Sequence, residues 1–261
     1  MKMIKGMCFA AVFIAAVLFG SCRKGAERIW VVAHRGASSL APENTLAAVR
    51  KALELGADCC EIDVRMTEDK EIVLMHDARM KRTAGISAPV WEYTLAELAQ
   101  FEVGSWFGQD FNGEPIPTLK QAINAVKGKM WLNIEIKVSR EEPELVPKVV
   151  DIIHRLGIRK KCMVTSFDRA TVEKIKDIDP KIKTGFIFGQ KYPSDVFEGN
   201  WDVLSCNFRV VDPDFVAEAR ERNKEIHVWT VDETDEMKRL IELGVDGIIT
   251  NRPQDLMPLV R

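Results

Sequence analysis

The sequence predicts an α/β chain closed into a TIM-type (β/α)8 barrel, and three observations carry that expectation. Short β-branched runs alternate with segments of helical periodicity, the pattern of a parallel sheet covered by helices. One neighbouring pair of runs is separated only by residues 67–71, too few for a parallel crossover, which needs about a dozen residues. That pair must be an antiparallel hairpin, so the nine candidate runs reduce to eight parallel strands. Residues 29–261 also come close to the ~250 residues typical of such a barrel.

The candidate strands fall at 29–34, 59–66, 72–76, 131–137, 162–167, 183–188, 203–207, 226–230 and 247–250. Between them, Leu46, Val49 and Leu53 share a helical face that stops before Gly56, a glycine suited to a left-handed helix end. Leu145, Val149, Ile152, Ile153 and Leu156 repeat this before Gly157, and Met237, Leu240 and Ile241 before Gly244. Asp212-Pro213 reads as an N-cap and first helical residue. In the hairpin, a two-residue turn at Asp69-Lys70 would set Glu68 against Glu71 and His76 opposite Asp63. Residues 77–117 hold no barrel-type strand but carry Trp91, Tyr93, Phe101, Trp106, Phe107 and Phe111. They read as a small insertion after the second-strand hairpin, lying over the barrel mouth or forming a surface subdomain, with the aromatics as core.

Residues 1–21 stand apart from the fold. Lys2 and Lys5 precede an uncharged apolar stretch, Met7 to Phe19, of signal-peptide length and too short to span a bilayer. Leu18-Phe19-Gly20-Ser21-Cys22 resembles a bacterial lipobox, with Phe19 looser than the usual leucine. Cys22 is then the expected lipidation site, residues 22–28 a tether, and residues 29–261 the barrel of an exported, membrane-tethered, periplasm-facing protein. A plain secretory signal is the competing reading. Cys59, Cys60, Cys162 and Cys206 lie in apolar runs without metal-type spacing and are expected as buried free thiols. A composition 46% hydrophobic and 29% charged excludes a disordered tail and a multi-pass membrane protein. With 37 basic against 39 acidic residues, there is no basic footprint for nucleic acid.

Barrel enzymes work at the C-terminal ends of their strands. There the first run ends in His34-Arg35-Gly36, and the second carries Glu61 and Asp63, whose i, i+2 spacing shares one face. Glu135 and Lys137 repeat that spacing, and the hairpin returns with His76-Asp77. Charged side chains are costly inside strands without partners or a metal. Three carboxylates with no nearby thiolate favour a hard divalent cation, Mg2+ or Ca2+, over zinc. Arg35 offers a planar fork for a phosphate oxygen, Lys137 a point charge, and His34 and His76 can exchange protons near neutral pH. Together these groups describe phosphoryl chemistry. A buried ion-pair layer closing the barrel is the competing reading of Glu61, Asp63, Glu135 and Lys137. His154 falls off the apolar face of its helix and reads as exposed, and His227 reads as structural.

In order, His34-Arg35-Gly36, Pro42-Glu43-Asn44-Thr45, Glu61-Ile62-Asp63-Val64 with Thr67 and Asp69, and His76-Asp77 resemble the glycerophosphodiester phosphodiesterase family. The likeness continues through Gly104-Ser105-Trp106-Phe107, Ile116-Pro117-Thr118-Leu119, Glu135 and Lys137, Ser166-Phe167-Asp168, Trp229-Thr230-Val231 and Gly244-Val245-Asp246-Gly247-Ile248. It covers residues 29–255. The resemblance implies a TIM-type barrel with a small insertion. It also implies hydrolysis of glycerophosphodiesters to sn-glycerol 3-phosphate and an alcohol, with one Mg2+ or Ca2+ ion. His34 and His76 then match the acid–base pair, Glu61, Asp63 and Glu135 the metal ligands, Arg35 the phosphate contact and Lys137 a charge stabiliser. Glu43 and Asn44 match a further motif, with Glu43 expected at the substrate and Asn44 alternatively capping the next helix. Trp229 and Phe167 are expected as walls of the glycerol pocket, or as barrel filling. Asn251 departs from the family, where aspartate is common, and is expected to bear on loop anchoring rather than catalysis.

Two other functions compete. One is a phospholipase C- or D-like enzyme acting on lysolipids, the other a non-catalytic glycerophosphodiester-binding lipoprotein. The intact histidine pair disfavours the second, because binding alone needs no proton transfer.

Overall fold

The computed structural model describes residues 28–261, so the expected signal peptide and the expected lipidation site Cys22 lie outside the described residues. The strands are β1 (Trp30–Ala33), β2 (Cys59–Met66), β3 (Ile72–Leu74), β4 (Trp131–Ile136), β5 (Cys162–Ser166), β6 (Lys183–Phe188), β7 (Val203–Asn207), β8 (Glu225–Trp229) and β9 (Gly247–Thr250). Eight of them are parallel and close a ring, since β1 pairs with both β2 and β9; β3 alone is antiparallel, against the upper end of β2. The helices are α1 (Leu46–Leu55), α2 (Lys81–Ala84), α3 (Leu95–Leu98), α4 (Leu119–Val126), α5 (Leu145–Leu156), α6 (Arg169–Ile178), α7 (Pro213–Glu221), α8 (Thr234–Leu243) and α9 (Pro253–Val260). The eight-stranded barrel expected from the strand count is the fold observed.

Strand alternation divides the apolar residues into two layers. β2 sends Cys60, Ile62, Val64 and Met66 into the large core shared with the helices, while Cys59 joins Val32 and Ile249 inside the barrel. Glu61 and Asp63 share the inward face of Cys59, which aims two carboxylates at the upper mouth. Gly56, Gly157 and Gly244 end their helices at φ 80°, 69° and 80°, and Asp212 caps α7 by accepting from the Phe215 N–H. Thr45, not Asn44, caps α1, accepting from the Ala48 N–H. The four cysteines of the strands are buried and free. His154 is exposed and pairs with Asp179 at 2.9 Å, while His227 is buried inside the barrel.

The hairpin register differs from the expected one by a residue. Met66 pairs with Ile72 and Val64 with Leu74, and the Met75 N–H donates to the Asp63 carbonyl. Asp63 therefore faces Met75, and His76 rises from the loop beyond β3. The turn has three residues, 68–70, because Lys70 adopts φ 66° and absorbs the extra position.

The insertion is a subdomain with its own core of Val73, Met75, Met80, Val90, Leu98, Val103 and Ile116. Only Tyr93 and Phe101 of its aromatics pack against that core, and Trp106 is 43% exposed, so the expectation of an aromatic core is corrected. Phe107 stacks edge-on between Trp106 and Phe111, and Arg82 lies 5.9 Å over the Trp106 ring. The chain enters at the lower rim, where Arg28 pairs with Asp58 at 2.7 Å and the Trp30 N–H meets the Asp246 carbonyl.

Candidate active site

The upper mouth collects side chains from four neighbouring segments. Across the β2–β4 ladder Asp63 is the direct partner of Glu135, and Glu61 of Asn133, so register alone brings the three carboxylates together. One oxygen from each of Glu61, Asp63 and Glu135 lies within 4.8 Å of the others. Glu61 Oε1 is buried without a hydrogen-bond partner, and Asp63 Oδ1 has only the ion pair with Lys137. Buried carboxylate oxygens left this way are costly, and hard oxygen donors of this kind suit a divalent cation. The cluster can hold one.

Its electrostatics point the same way. Burial, then the neighbouring Asp63 and Glu135 charges, holds the Glu61 carboxyl well above the ordinary carboxylate range. Burial and Asp63 likewise push Glu135 up to about 7. Asp63 is held down at about 2, because Lys137, Arg35 and His76 outweigh its burial. Without a cation, the cluster resists carrying three charges.

Cations surround the carboxylates. Lys137 Nζ donates to Glu135 Oε1 at 2.5 Å and lies 3.1 Å from Asp63 Oδ1. The Arg35 N–H donates to Glu61 Oε2 at 2.8 Å, and its Nε lies 3.2 Å from Asp63 Oδ2. Arg35 turns its side chain into the site from a left-handed backbone, φ 53°, and Gly36 follows at φ 85°. A Cβ at Gly36 would lie 2.6 Å from the Ala48 backbone, so this turn admits only glycine. Glu43 stands behind Arg35, accepting from Arg35 at 2.9 Å and from Arg82 at 2.7 Å. Asn44 braces Asp63 from both sides, donating to its Oδ2 at 2.8 Å and accepting from its N–H at 3.0 Å.

Both histidines line the same cavity, about 130 Å³, as Glu61, Glu135, Arg35 and Lys137. His34 Nε2 is 4.0 Å from Glu61 Oε2 and its Nδ1 is 2.7 Å from Asn251 Oδ1. Burial, aided by the Arg35 charge, lowers its pKa to about 4. His76 Nδ1 lies 2.8 Å from Asp77 Oδ1, and Arg82 holds the other Asp77 oxygen at 2.9 Å. Burial lowers the His76 pKa as well, with Lys137 and Arg35 assisting. The far wall is apolar: Phe167 meets Trp229 edge-on at 5.6 Å, and Trp229 Nε1 donates to the Ser205 carbonyl at 3.1 Å.

Comparison with known proteins decides the family. Residues 34–255 match the glycerophosphoryl diester phosphodiesterase family. The chain belongs to that family.

Among phosphodiesterase relatives, the glycerophosphodiester phosphodiesterase of Caldanaerobacter subterraneus is 34% identical over 237 residues, covering 88% of this chain and 97% of that one. The Bacillus subtilis glycerophosphodiester phosphodiesterase is 27% identical over 248 residues, 87% of this chain and 85% of that one. An Oleispira antarctica phosphodiesterase solved in complex with the product sn-glycerol-3-phosphate superposes with a TM-score of 0.84 at 28% identity, over 88% of this chain and 96% of that one. This chain is thus a phosphodiesterase by family as well as by the chemistry gathered at its mouth.

Of the residues expected at the site, His34, Arg35, Glu61, His76, Glu135, Lys137, Phe167 and Trp229 line the cavity, whereas Asp63 does not line it and Glu43, expected at the substrate, stands behind Arg35. Sequence reading missed the residues that hold the histidines. Arg65 donates twice to the His76 carbonyl, at 3.1 and 2.7 Å, and once to Ser139 Oγ at 2.8 Å, which ties the hairpin to the loop after β4. Arg82 joins Glu43 to Asp77. Asn251 is anchored to Asp232 beside its own loop, as expected, and it also bonds to His34 Nδ1. The signal was available: barrel closure pairs Ala33 with Thr250, so the residues after them are neighbours.

Proposed function

We propose that this chain hydrolyses glycerophosphodiesters to sn-glycerol 3-phosphate and an alcohol, with His34 and His76 as proton-transfer groups and Mg2+ or Ca2+ at Glu61, Asp63 and Glu135. The observation that carries this reading is the shared cavity: two histidines, Arg35, Lys137 and two carboxylates, Glu61 and Glu135, line one small pocket beside an apolar wall. When bound, the divalent ion supplies Lewis-acid polarisation of a phosphoryl oxygen. Arg35 binds and orients the phosphate through its remaining N–H groups, and Lys137 adds positive charge where negative charge grows in the transition state. Phe167 and Trp229 form the wall for the glycerol carbons, which have little to offer but CH surface. One histidine removes a proton from the attacking hydroxyl while the other protonates the departing alkoxide. An assay for release of sn-glycerol 3-phosphate from deacylated phosphodiesters tests this directly, and no release from any of them would sink it.

The attacking hydroxyl is either water or the glycerol hydroxyl next to the phosphate ester. We favour the second, because an oxygen already on the bound substrate gains the proximity advantage. It yields a cyclic glycerol phosphate that water opens with the histidines in exchanged roles. A substrate with that hydroxyl replaced by hydrogen is therefore expected to bind but not turn over. Turnover near the parent rate at saturation would leave direct water attack.

Export as a lipoprotein is proposed on the basic start, short apolar core and lipobox-like end of residues 1–22. Radiolabelled palmitate is expected to enter the protein in cells and to be lost in Cys22→Ser. Native protein that retains residues 1–21 would refute it.

A further inference from the structure

Asn251 follows β9, and its side chain lies in a chain of hydrogen bonds whose polarity can be worked out from one end. Asp232 accepts from the Thr250 hydroxyl at 3.0 Å and from the Asn251 N–H at 2.9 Å through one oxygen. Its other oxygen accepts from Asn251 Nδ2 at 2.7 Å. An ionised carboxylate has only lone pairs to offer, so the nitrogen of the Asn251 amide must face Asp232. The amide oxygen must then face the other way. There it meets the Ser38 hydroxyl at 2.8 Å and His34 Nδ1 at 2.7 Å.

An amide oxygen cannot donate, so the proton of this hydrogen bond belongs to His34 Nδ1. In a neutral imidazole the remaining nitrogen is then a bare acceptor. That nitrogen, Nε2, is the one directed at the carboxylate cluster, 4.0 Å from Glu61 Oε2. The reversed amide would set its oxygen against the Asp232 carboxylate, turning that hydrogen bond into a repulsion, so the Asp232 contact alone fixes which way the amide points.

We infer that Asp232 and Asn251 are positioning residues that set the tautomer of His34, with the proton on Nδ1 and Nε2 free to accept one. Neither residue touches the reacting atoms; both act through the ring. The two histidines are thereby held differently, His76 by a carboxylate and His34 by an amide that is itself oriented by a carboxylate. The catalytic meaning of the inference rests on the proposed role of His34, whereas the tautomer itself does not.

The test reads the two separately. Nitrogen-15 NMR of the histidine rings in the wild-type holoenzyme, with His34→Gln for assignment, is expected to show His34 protonated at Nδ1 and unprotonated at Nε2. An Nε2-protonated ring in the wild type would overturn the inference without any variant having to fold. Asn251→Ala is expected to lower kcat by ~10–100-fold, the usual cost of losing a group that orients a ligand or base. KM should stay nearly constant, and the ring should shift to a mixture of tautomers. Asn251→Asp alone sets two carboxylates against each other and should also lose turnover. Combining it with Asp232→Asn restores the donor–acceptor order, because the new amide at position 232 can donate to the new carboxylate at position 251. That double variant should recover most of kcat and the Nδ1-protonated ring. An unchanged tautomer and kcat in Asn251→Ala, or a swap no better than the single change, would overturn the inference. If the wild type shows the expected tautomer but hydrolyses no glycerophosphodiester, the functional reading fails and the positioning assignment stands.

Discussion

Replacing His34 or His76 by alanine is expected to lower turnover by ~10²–10⁴-fold, the usual contribution of a positioned proton-transfer group. The barrel should remain folded in both variants. The backbone at position 34 keeps its bond to the Thr250 carbonyl, and that at position 76 keeps the two from Arg65. Substrate binding should survive as well, since Arg35, Lys137 and the Phe167–Trp229 wall are untouched. The loss should therefore fall on kcat, with the dissociation constant measured by calorimetry nearly unchanged. Either variant retaining turnover within about threefold of wild type would remove that histidine from the chemistry.

Chelation should have a comparable effect, with EDTA abolishing hydrolysis and Mg2+ or Ca2+ restoring it. Full turnover of demonstrably metal-free protein would sink the ligand assignment. Glu135→Gln should weaken metal binding and leave the fold intact. The same variant exposes the electrostatics of the cluster once the metal is chelated. Folded metal-free protein keeps a proton on Glu135 up to about pH 7 that the unfolded chain releases near its ordinary 4.5. Stability from this group is thus lost as pH rises from 4.5 to about 7, and levels off above. His34 and His76, with lowered pKa values, act in the opposite sense below their ordinary 6.5. Comparing wild type with Glu135→Gln cancels the histidines. The wild type should lose stability relative to the variant as pH rises from 5 to 8. Denaturant unfolding in EDTA measures this, and a difference independent of pH would refute it.

Much of this molecule was legible in its sequence because most strands are buried on both sides by different chemistry. β2, β6, β7 and β9 begin and end where expected, since their outward positions are apolar and turn residues bound them. The inward carboxylates of β2 and β4 could be matched by i, i+2 spacing. What escaped was set by backbone conformations that leave no mark on residue type. Lys70 at φ 66° and Asn44 at φ 56° are not glycines, yet one shifts the hairpin by a residue and the other turns an expected cap into a brace for Asp63. Contacts across the barrel seam also escaped: His34 and Asn251 are 217 residues apart, and only closure of the ring makes them neighbours. The insertion misled for a different reason. Its core is small and filled by aliphatic and methionine side chains, with Tyr93 and Phe101 packed against its edge and Trp106 turned outward.

The point of chain entry bears on which molecules could reach the mouth. Residues 22–28 can extend at most ~25 Å, and they join the barrel beside Asp58 and Asp246, on the rim opposite His34. β2 alone, with eight residues, rises ~26 Å, and a layer of helices surrounds it. A lipid on Cys22 would hold the lower rim close to the bilayer and could not reach round to bring the mouth down to it. A barrel moored in this way would open away from its own membrane, onto water. Its natural diet would be diesters already freed of their acyl chains and diffusing past, not headgroups still embedded in the leaflet beneath it.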